Sequence, residues 1–301
     1  MRGRGMFDRT VEPDPRPAAP PSRNRQGMRK GHRREYAADR ARGSTISFPE
    51  RCAGALTDIG VHGAVSFRDL AEARFGGHPY TTRRAVDTWI RDGLVQETTA
   101  TGPNGNAFKI LTLTPAGVAE ARELADRRGM DQGQRIEIPR IRDAQASHDT
   151  AVYRACAWER ERLRRRDARV RRVRLDAELK SAVARASEAE RKRNGKRAAD
   201  AERHRTAQEL GLPIDEAGQV IYPDAQVEYE DAEGRTGRVN IEVASDNYSR
   251  ETVKAKAAAG FAMHASGPAA AGMLQKLGLG GRDGGSWLKG PADRDPASVE
   301  L

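Results

Sequence analysis

Two carboxylates raise the first chemical question. Asp224 follows Pro223 at the entrance to one alternating apolar run, and Glu242 sits between Ile241 and Val243 near the end of the next. The runs, 220–229 and 238–243, flank a polar stretch at 231–237, which predicts a β-hairpin. Pairing centred on Gly234 sets Tyr229 opposite Val239 and Val227 opposite Ile241, leaving Asp224 and Glu242 within about two residues of facing one another. Two carboxylates on one face repel, which raises one pKa unless a cation lies between them. Mg²⁺ suits such a pair, because it takes one or two carboxylates and keeps several waters.

A second constellation is basic. Thr82, Arg83 and Arg84 fall at the start of a helical pattern in which Ala85, Val86, Trp89 and Ile90 share one face, Arg91 lies near its end, and Asp92-Gly93 stops it. Thr81 or Thr82 is the expected cap. Upstream, apolar residues at helical spacing predict a helix over 48–59 ended by Gly60 and Gly63. Ser66 caps a short helix with Leu70 and Ala71 inward, finished by Gly76-Gly77. Downstream, Leu94-Val95 opens a strand, 98–106 reads as a polar loop, and 108–113 returns as a strand. Thr114-Pro115 then starts a helix, since proline at the first position lacks only an N–H the helix cannot use.

The second patterned region begins at Ser147-His148-Asp149, before a helix to about Arg166. Val152, Cys156, Glu159 and Leu163 form one stripe of it, and Arg154, Arg160, Arg162, Arg164, Arg165 and Arg166 occupy the other faces. Residues 170–178 read as a strand, and 179–211 as a charged helical insertion with a solvated face. After the hairpin, 249–261 reads as a helix carrying Lys254 and Lys256, and Met263-His264 begins a last strand.

The string RRAVDTWIRDGLVQ…LTLTPAG, with its helix, stop, strand, loop, strand and capped helix in order, resembles the winged helix-turn-helix superfamily over some 80 residues. That resemblance implies duplex DNA as partner. The third helix would enter the major groove with Thr82, Arg83 and Arg84 toward the bases, because the arginine fork meets guanine O6 and N7 together. Arg91 would reach a phosphate. Asn104, Asn106 and Lys109 of the wing would meet the neighbouring backbone, and Arg164 and Arg165 would add general affinity.

Ser147-His148-Asp149, Pro223-Asp224 and Ile241-Glu242-Val243 resemble, in order and spacing, the replication-relaxation family of plasmid and integrative-element proteins. Members join a winged helix to a PD-(D/E)xK nuclease-like domain. The resemblance implies that Asp224 and Glu242, with Glu159 as a third carboxylate, hold Mg²⁺ for phosphodiester chemistry. A lysine two residues after the glutamate supports the nucleophile in that motif, but this chain has Ala244 there. Lys254 or Lys256 can project back from the next helix; Lys180 is a weaker candidate, and His148 can act near neutral pH.

Composition sets the frame. The 301 residues carry a formal charge of +10 and are 32% charged and 37% hydrophobic. Such a polar, basic chain fits two modest cores and a polyanionic partner. Cys52 and Cys156 form no C-x-x-C pair, and no apolar run reaches the ~18 residues that span a bilayer. A cytoplasmic, nucleoid-associated protein without membrane contact is expected. P-loop, G-x-G-x-x-G and G-x-S-x-G motifs are missing, and a tyrosine nucleophile (Tyr222, Tyr229 or Tyr248) would lack a histidine cluster to hold its metal.

The expected class is α+β. Its parts are a disordered basic arm (1–45), a winged helix-turn-helix (46–128), a linker (129–146), a nuclease-like α/β domain (147–266) and a disordered tail (267–301). Function then divides three ways. A DNA-binding factor of a mobile element, acting in replication, relaxation or mobilisation beside replication or conjugation machinery, is favoured, because the motif lysine is missing. A transcriptional regulator whose second domain senses or forms a homodimer is one alternative, and a Mg²⁺-dependent nickase is another.

Overall fold

Helix α1 (Phe48–His62) forms because Ala55, Leu56 and Ile59 line one buried face, and it stops where Gly63 takes a left-handed φ of 75°. Gly60, expected to help end it, lies inside the helix. A Cβ there would come within 2.7 Å of Ile136 and 2.9 Å of Leu113, so the glycine permits close packing rather than a turn. The computed structural model describes residues 46–102, 105–138 and 143–279. The basic arm, Asn104 and the Trp287-Leu288 pair lie outside them.

Strand β1 (Val65–Ser66) leads into α2 (Phe67–Phe75), where the Ser66 hydroxyl accepts from the Asp69 N–H at 3.0 Å. Helix α3 (Pro79–Arg91) starts earlier than its threonines suggest. His78 is its N-cap, Pro79 takes the first turn, and Thr82 is fully buried with its hydroxyl donating to the His78 carbonyl at 2.9 Å. Ile90, expected inward, is 40% exposed. Strands β2 (Val95–Thr101) and β3 (Ala107–Leu113) pair from Val95↔Leu113 to Thr101↔Ala107, so the hairpin is longer and its loop shorter than expected. β1 joins the far edge of β3, giving the order β1-β3-β2, and α4 (Pro115–Arg127) follows the expected Thr114 cap.

The stretch expected as a linker is partly built into the core. Ile136 is 2% exposed, its carbonyl accepts from Arg122, and helix α5 (Asp143–Arg164) begins before Ser147. Strand β4 (Arg169–Leu175) ends three residues short of its expected limit. Asp176 instead opens helix α6 (Asp176–Asn194), which Gly195 joins to α7 (Lys196–Glu209). Strands β5 (Ala225–Glu230) and β6 (Thr236–Ala244) form the expected hairpin, but β5 begins five residues later than the apolar run. Helix α8 (Arg250–Ala258) is capped by Ser249, and β7 (Ala262–Ala265) pairs parallel to β6. Helix α9 (Pro268–Lys276) occupies sequence expected to be unstructured, because Ala270 and Leu274 bury against Phe261 and Met263.

Among the described residues the chain is thus mixed α+β with two sheets, the second in the order β4-β5-β6-β7. Between Phe48 and Leu279 the described residues pack as one unit. Helix α5 touches both sheets, and its Tyr153, Cys156 and Leu163 share one continuous core with Ile59, Phe75, Val227 and Ile241. Each of the Leu, Ile, Val and Phe side chains contributes about 1.5–3 kcal/mol by leaving water. Among the described residues no helix is long and apolar enough to cross a membrane.

Candidate functional site

The β5–β6 register sets the central feature. Ala225 pairs with Ile241 and Val227 with Val239, two residues away from the pairing expected about Gly234. A two-residue slip keeps each side chain on its face, whereas one residue would have separated the carboxylates. Extending the ladder by one step puts Asp224 directly across from Glu242. The Val243 N–H donates to Asp224 Oδ2 at 2.8 Å, which fixes the approach, and the Asp176 N–H donates to the Asp224 carbonyl at 2.9 Å. The start of α6 is thereby stitched to the same point.

Glu242 is fully buried. Its Oε1 accepts from Lys256 Nζ at 2.5 Å and from the Tyr248 hydroxyl at 2.6 Å, and Lys256 also donates to the Tyr222 carbonyl at 3.3 Å. Its Oε2 is buried with no hydrogen-bond partner among the described residues. Burial, and then the nearby Asp224 charge, push the Glu242 carboxyl above the usual range, while Lys256 and Tyr248 pull the other way. Burial also raises the Tyr248 phenol, and its bond to Glu242 raises it further.

His148, in the second turn of α5, places Nε2 3.2 Å from Asp224 Oδ1. That bond outweighs burial and raises the imidazole above its ordinary value. Asp149 beside it is raised by burial, with His148 opposing. A histidine held charged by a carboxylate adds stability that is complete below its unfolded pKa and lost as pH rises through its folded one. In an NMR titration His148 should therefore titrate above about 6.5, the unperturbed value, and Asp224→Asn should bring it back. An unshifted His148 in the parent protein would contradict this geometry.

The structure selects among the expected site residues. Lys256 points in, whereas Lys254 is exposed. Ala244, at the position of the expected motif lysine, is fully buried against Val253 and Phe261, where an ammonium would be stranded, so α8 supplies the cation instead. Lys180 binds Asp176 at 2.9 Å. Glu159 does not join the pair. It is fully buried, with one oxygen 3.1 Å from His264 Nε2 and the other accepting from Arg162 at 2.6 Å. Among the described residues no group of three or more His, Cys, Asp or Glu side chains is gathered for a metal. Two facing carboxylates with one unpartnered oxygen nevertheless fit Mg²⁺, which fills its remaining positions with water.

The basic residues also divide. Arg83 is half-buried. Its guanidinium donates to Glu97 at 2.7 Å and Asp87 at 3.3 Å and lies 4.4 Å from the Phe67 ring centroid. It is occupied within the fold rather than offered to a base. Thr82 is buried and likewise withdrawn. Arg84 and Arg91 are exposed on α3, Arg91 3.5 Å from Asp92. Lys109 contacts Thr99 and Glu97, and Asn106 is exposed. Arg160 and Arg162 are drawn inward to Asp58 and Glu159, while Arg164 and Arg165 share Glu161 on the surface.

Sequence reasoning passed over several residues. Tyr248 enters the sequence reading only as a nucleophile, and nothing local signals that its hydroxyl orients Glu242. Gln226, fully buried and donating to Asn240 and the Leu210 carbonyl, could have been flagged as a polar residue in an apolar strand. Asp58, inside an apolar helical stripe, carried the same warning. It accepts from Arg74, Tyr153 and Arg160 and ties α1, α2 and α5 together. Comparison with protein-family models, curated proteins and solved structures found no match to this chain.

Proposed function

We propose that this chain binds duplex DNA through a winged helix-turn-helix at 48–128 and carries, in a PD-(D/E)xK-like α/β half, a site for Mg²⁺-assisted nicking of a DNA strand. The observation that carries the proposal is the pair Asp224 and Glu242, one step beyond the Ala225↔Ile241 pairing, with the Asp224 charge acting on Glu242 and the Lys256 ammonium bound to it. The helix order around a β1-β3-β2 sheet, with Arg84 and Arg91 exposed on α3, supports the binding half of the reading. The sequence resemblance to replication-relaxation proteins supports a mobile element as the setting.

Asp224 and Glu242 would hold the metal, which when bound polarises a phosphoryl oxygen and acidifies water. Tyr248 keeps one Glu242 oxygen in place and leaves Oε2 available. Lys256 is positioned to offset charge growing on the phosphate. His148, whose imidazole Asp224 raises above its ordinary value, is placed to carry a proton toward a leaving oxygen.

A second reading has its own support. Lys256 on Glu242 and His148 on Asp224 already give each carboxylate a basic partner, as suits a site that only clamps DNA. Supercoiled plasmid incubated with and without Mg²⁺ or Mn²⁺ separates the two. Metal-dependent conversion to open circles is expected; binding without conversion would leave the clamp, and binding confined to promoters would favour a regulator.

The α3 surface gives a separate expectation. Arg84→Ala should weaken a preferred duplex by about 1–3 kcal/mol, whereas Arg83→Ala should cost stability of about 0.5–1 kcal/mol with little change in preference. Paired affinity and urea titrations check this. If Arg83→Ala alone relaxed sequence preference, its ion pair with Glu97 would have to open on DNA.

A further inference from the structure

We infer that the turn between α6 and α7 is a second contact for the phosphate backbone of duplex DNA. The inference rests on the DNA-binding reading and adds to it a surface far in sequence from α3. The turn reads Arg191-Lys192-Arg193-Asn194-Gly195-Lys196-Arg197, five cations in seven exposed residues.

Charge pairing changes along the hairpin. Near its root Lys180 binds Asp176, and on α7 Arg205 binds Glu202 and Glu209 while Arg203 lies 3.8 Å from Asp200. At the turn, Glu188 takes Arg191 and approaches Lys192 at 3.9 Å. No carboxylate among the described residues forms an ion pair with Arg193, Lys196 or Arg197, nor is any hydrogen bond made by their side chains. A solvated helical face typically alternates its charges, as the shafts of these helices do. This turn does not.

The hairpin is also built to hold its tip at a distance. Leu179, Val183, Ala207 and Leu212 anchor the root with Tyr222, and α7 packs chiefly on α6. Farther out the two helices meet through Ala199 and a bond from the Ser187 hydroxyl to the Ala199 carbonyl at 3.0 Å, small contacts that allow close approach. Gly195 turns the chain with a φ of 84°. The 19 residues of α6 set the tip about 27 Å from the root at 1.5 Å per residue. Since α6 starts beside Asp224, whose carbonyl accepts from the Asp176 N–H, a duplex lying over the carboxylate pair and along the hairpin would reach the tip some eight base pairs away at ~3.4 Å per pair.

Fluorescence anisotropy on a 30-base-pair duplex across a salt series tests this, using the full chain and the variant R193Q/K196Q/R197Q. All three positions are exposed, and circular dichroism checks that the helices persist. Each lost phosphate contact lowers the log–log salt slope by about 0.9, so the variant's slope should be shallower by about 2.7 and its deficit should shrink roughly 40-fold between 50 and 200 mM salt. The charge-preserving R193K/K196R/R197K should keep the parent slope. Parent and neutral variant binding with equal slopes would overturn the inference while leaving DNA binding intact. Loss of binding to polyglutamate but not to duplex would overturn it in favour of an acidic protein partner. A parent chain that binds no duplex at any salt would overturn the DNA reading itself, and this inference with it.

Discussion

Asp58→Ala should destabilise the protein by about 3–5 kcal/mol, the cost of removing one partner from a buried ionic group. Asp58 is 5% exposed and takes Arg74 through two bonds of 2.6 and 2.7 Å, Arg160 at 2.8 Å and the Tyr153 hydroxyl at 3.0 Å. Burial alone would raise its carboxyl, but Arg160 and Arg74 outweigh burial and hold it well below the usual range. Alanine would strand two guanidiniums and a phenol inside the core. A marginally stable protein loses most of its folding free energy to such a change.

Replacing the whole group should be far milder. Asp58→Leu combined with Arg74→Met and Arg160→Met leaves no orphaned charge and should recover most of the loss. Urea midpoints at constant slope measure both. A deficit below ~1 kcal/mol for Asp58→Ala would show that water reaches the cluster. Because the cluster joins α1 and α2 to α5, both halves should unfold in one transition.

Acid should act on the same cluster through His62, whose imidazole burial lowers to about 4 against the pull of Asp58. Between about 6.5 and that value the unfolded chain binds a proton that the folded chain refuses. Stability should therefore fall as pH drops through this window.

The second large effect is expected at the carboxylate pair. Asp224→Asn, Glu242→Gln and Lys256→Met should each reduce metal-dependent plasmid nicking by about 100-fold or more, the scale of a lost electrostatic contributor. Lys254→Met should leave it unchanged, since that side chain is exposed and outside the cluster. Lys256→Met carries a further signature. Burial and Asp224 already raise the Glu242 carboxyl, and Lys256 opposes them. Without the ammonium Glu242 holds its proton to higher pH, so residual nicking should shift its profile to the alkaline side. Lys256→Arg should restore the profile in part. A purely structural lysine would lower activity without moving the profile, and that result would remove it from the mechanism.

Much of this arrangement was legible along the chain because it is local. Ser66 and Thr114 cap their helices as their types and positions indicate, and residues 95–113 pair as a hairpin. Asp224 and Glu242 came out facing although the register was two residues off, because strand parity depends only on even or odd slips. What followed from apolar periodicity and turn chemistry was available without coordinates.

Other features depend on which surfaces meet, and periodicity does not say that. Lys254 and Lys256 stand two positions apart, about 200° around a helix of 3.6 residues per turn. Packing of Val253 under β7 turned one inward and left the other in water. Arg83 and Arg84 are equivalent in sequence until Glu97 arrives from β2 and takes one of them. Ala-rich α9 had too little apolar surface to be recognised alone and folds because Phe261 and Met263 lie beneath it. Asp58 and Arg160 lie 102 positions apart, and only the docking of α5 against α1 makes them partners. The sequence by itself determined most of the elements and the Ser66, Thr114 and hairpin turn signals. Tertiary contact decided which charges are spent inside the fold and which remain for a ligand, because a buried charge is stable only where a partner from another element reaches it.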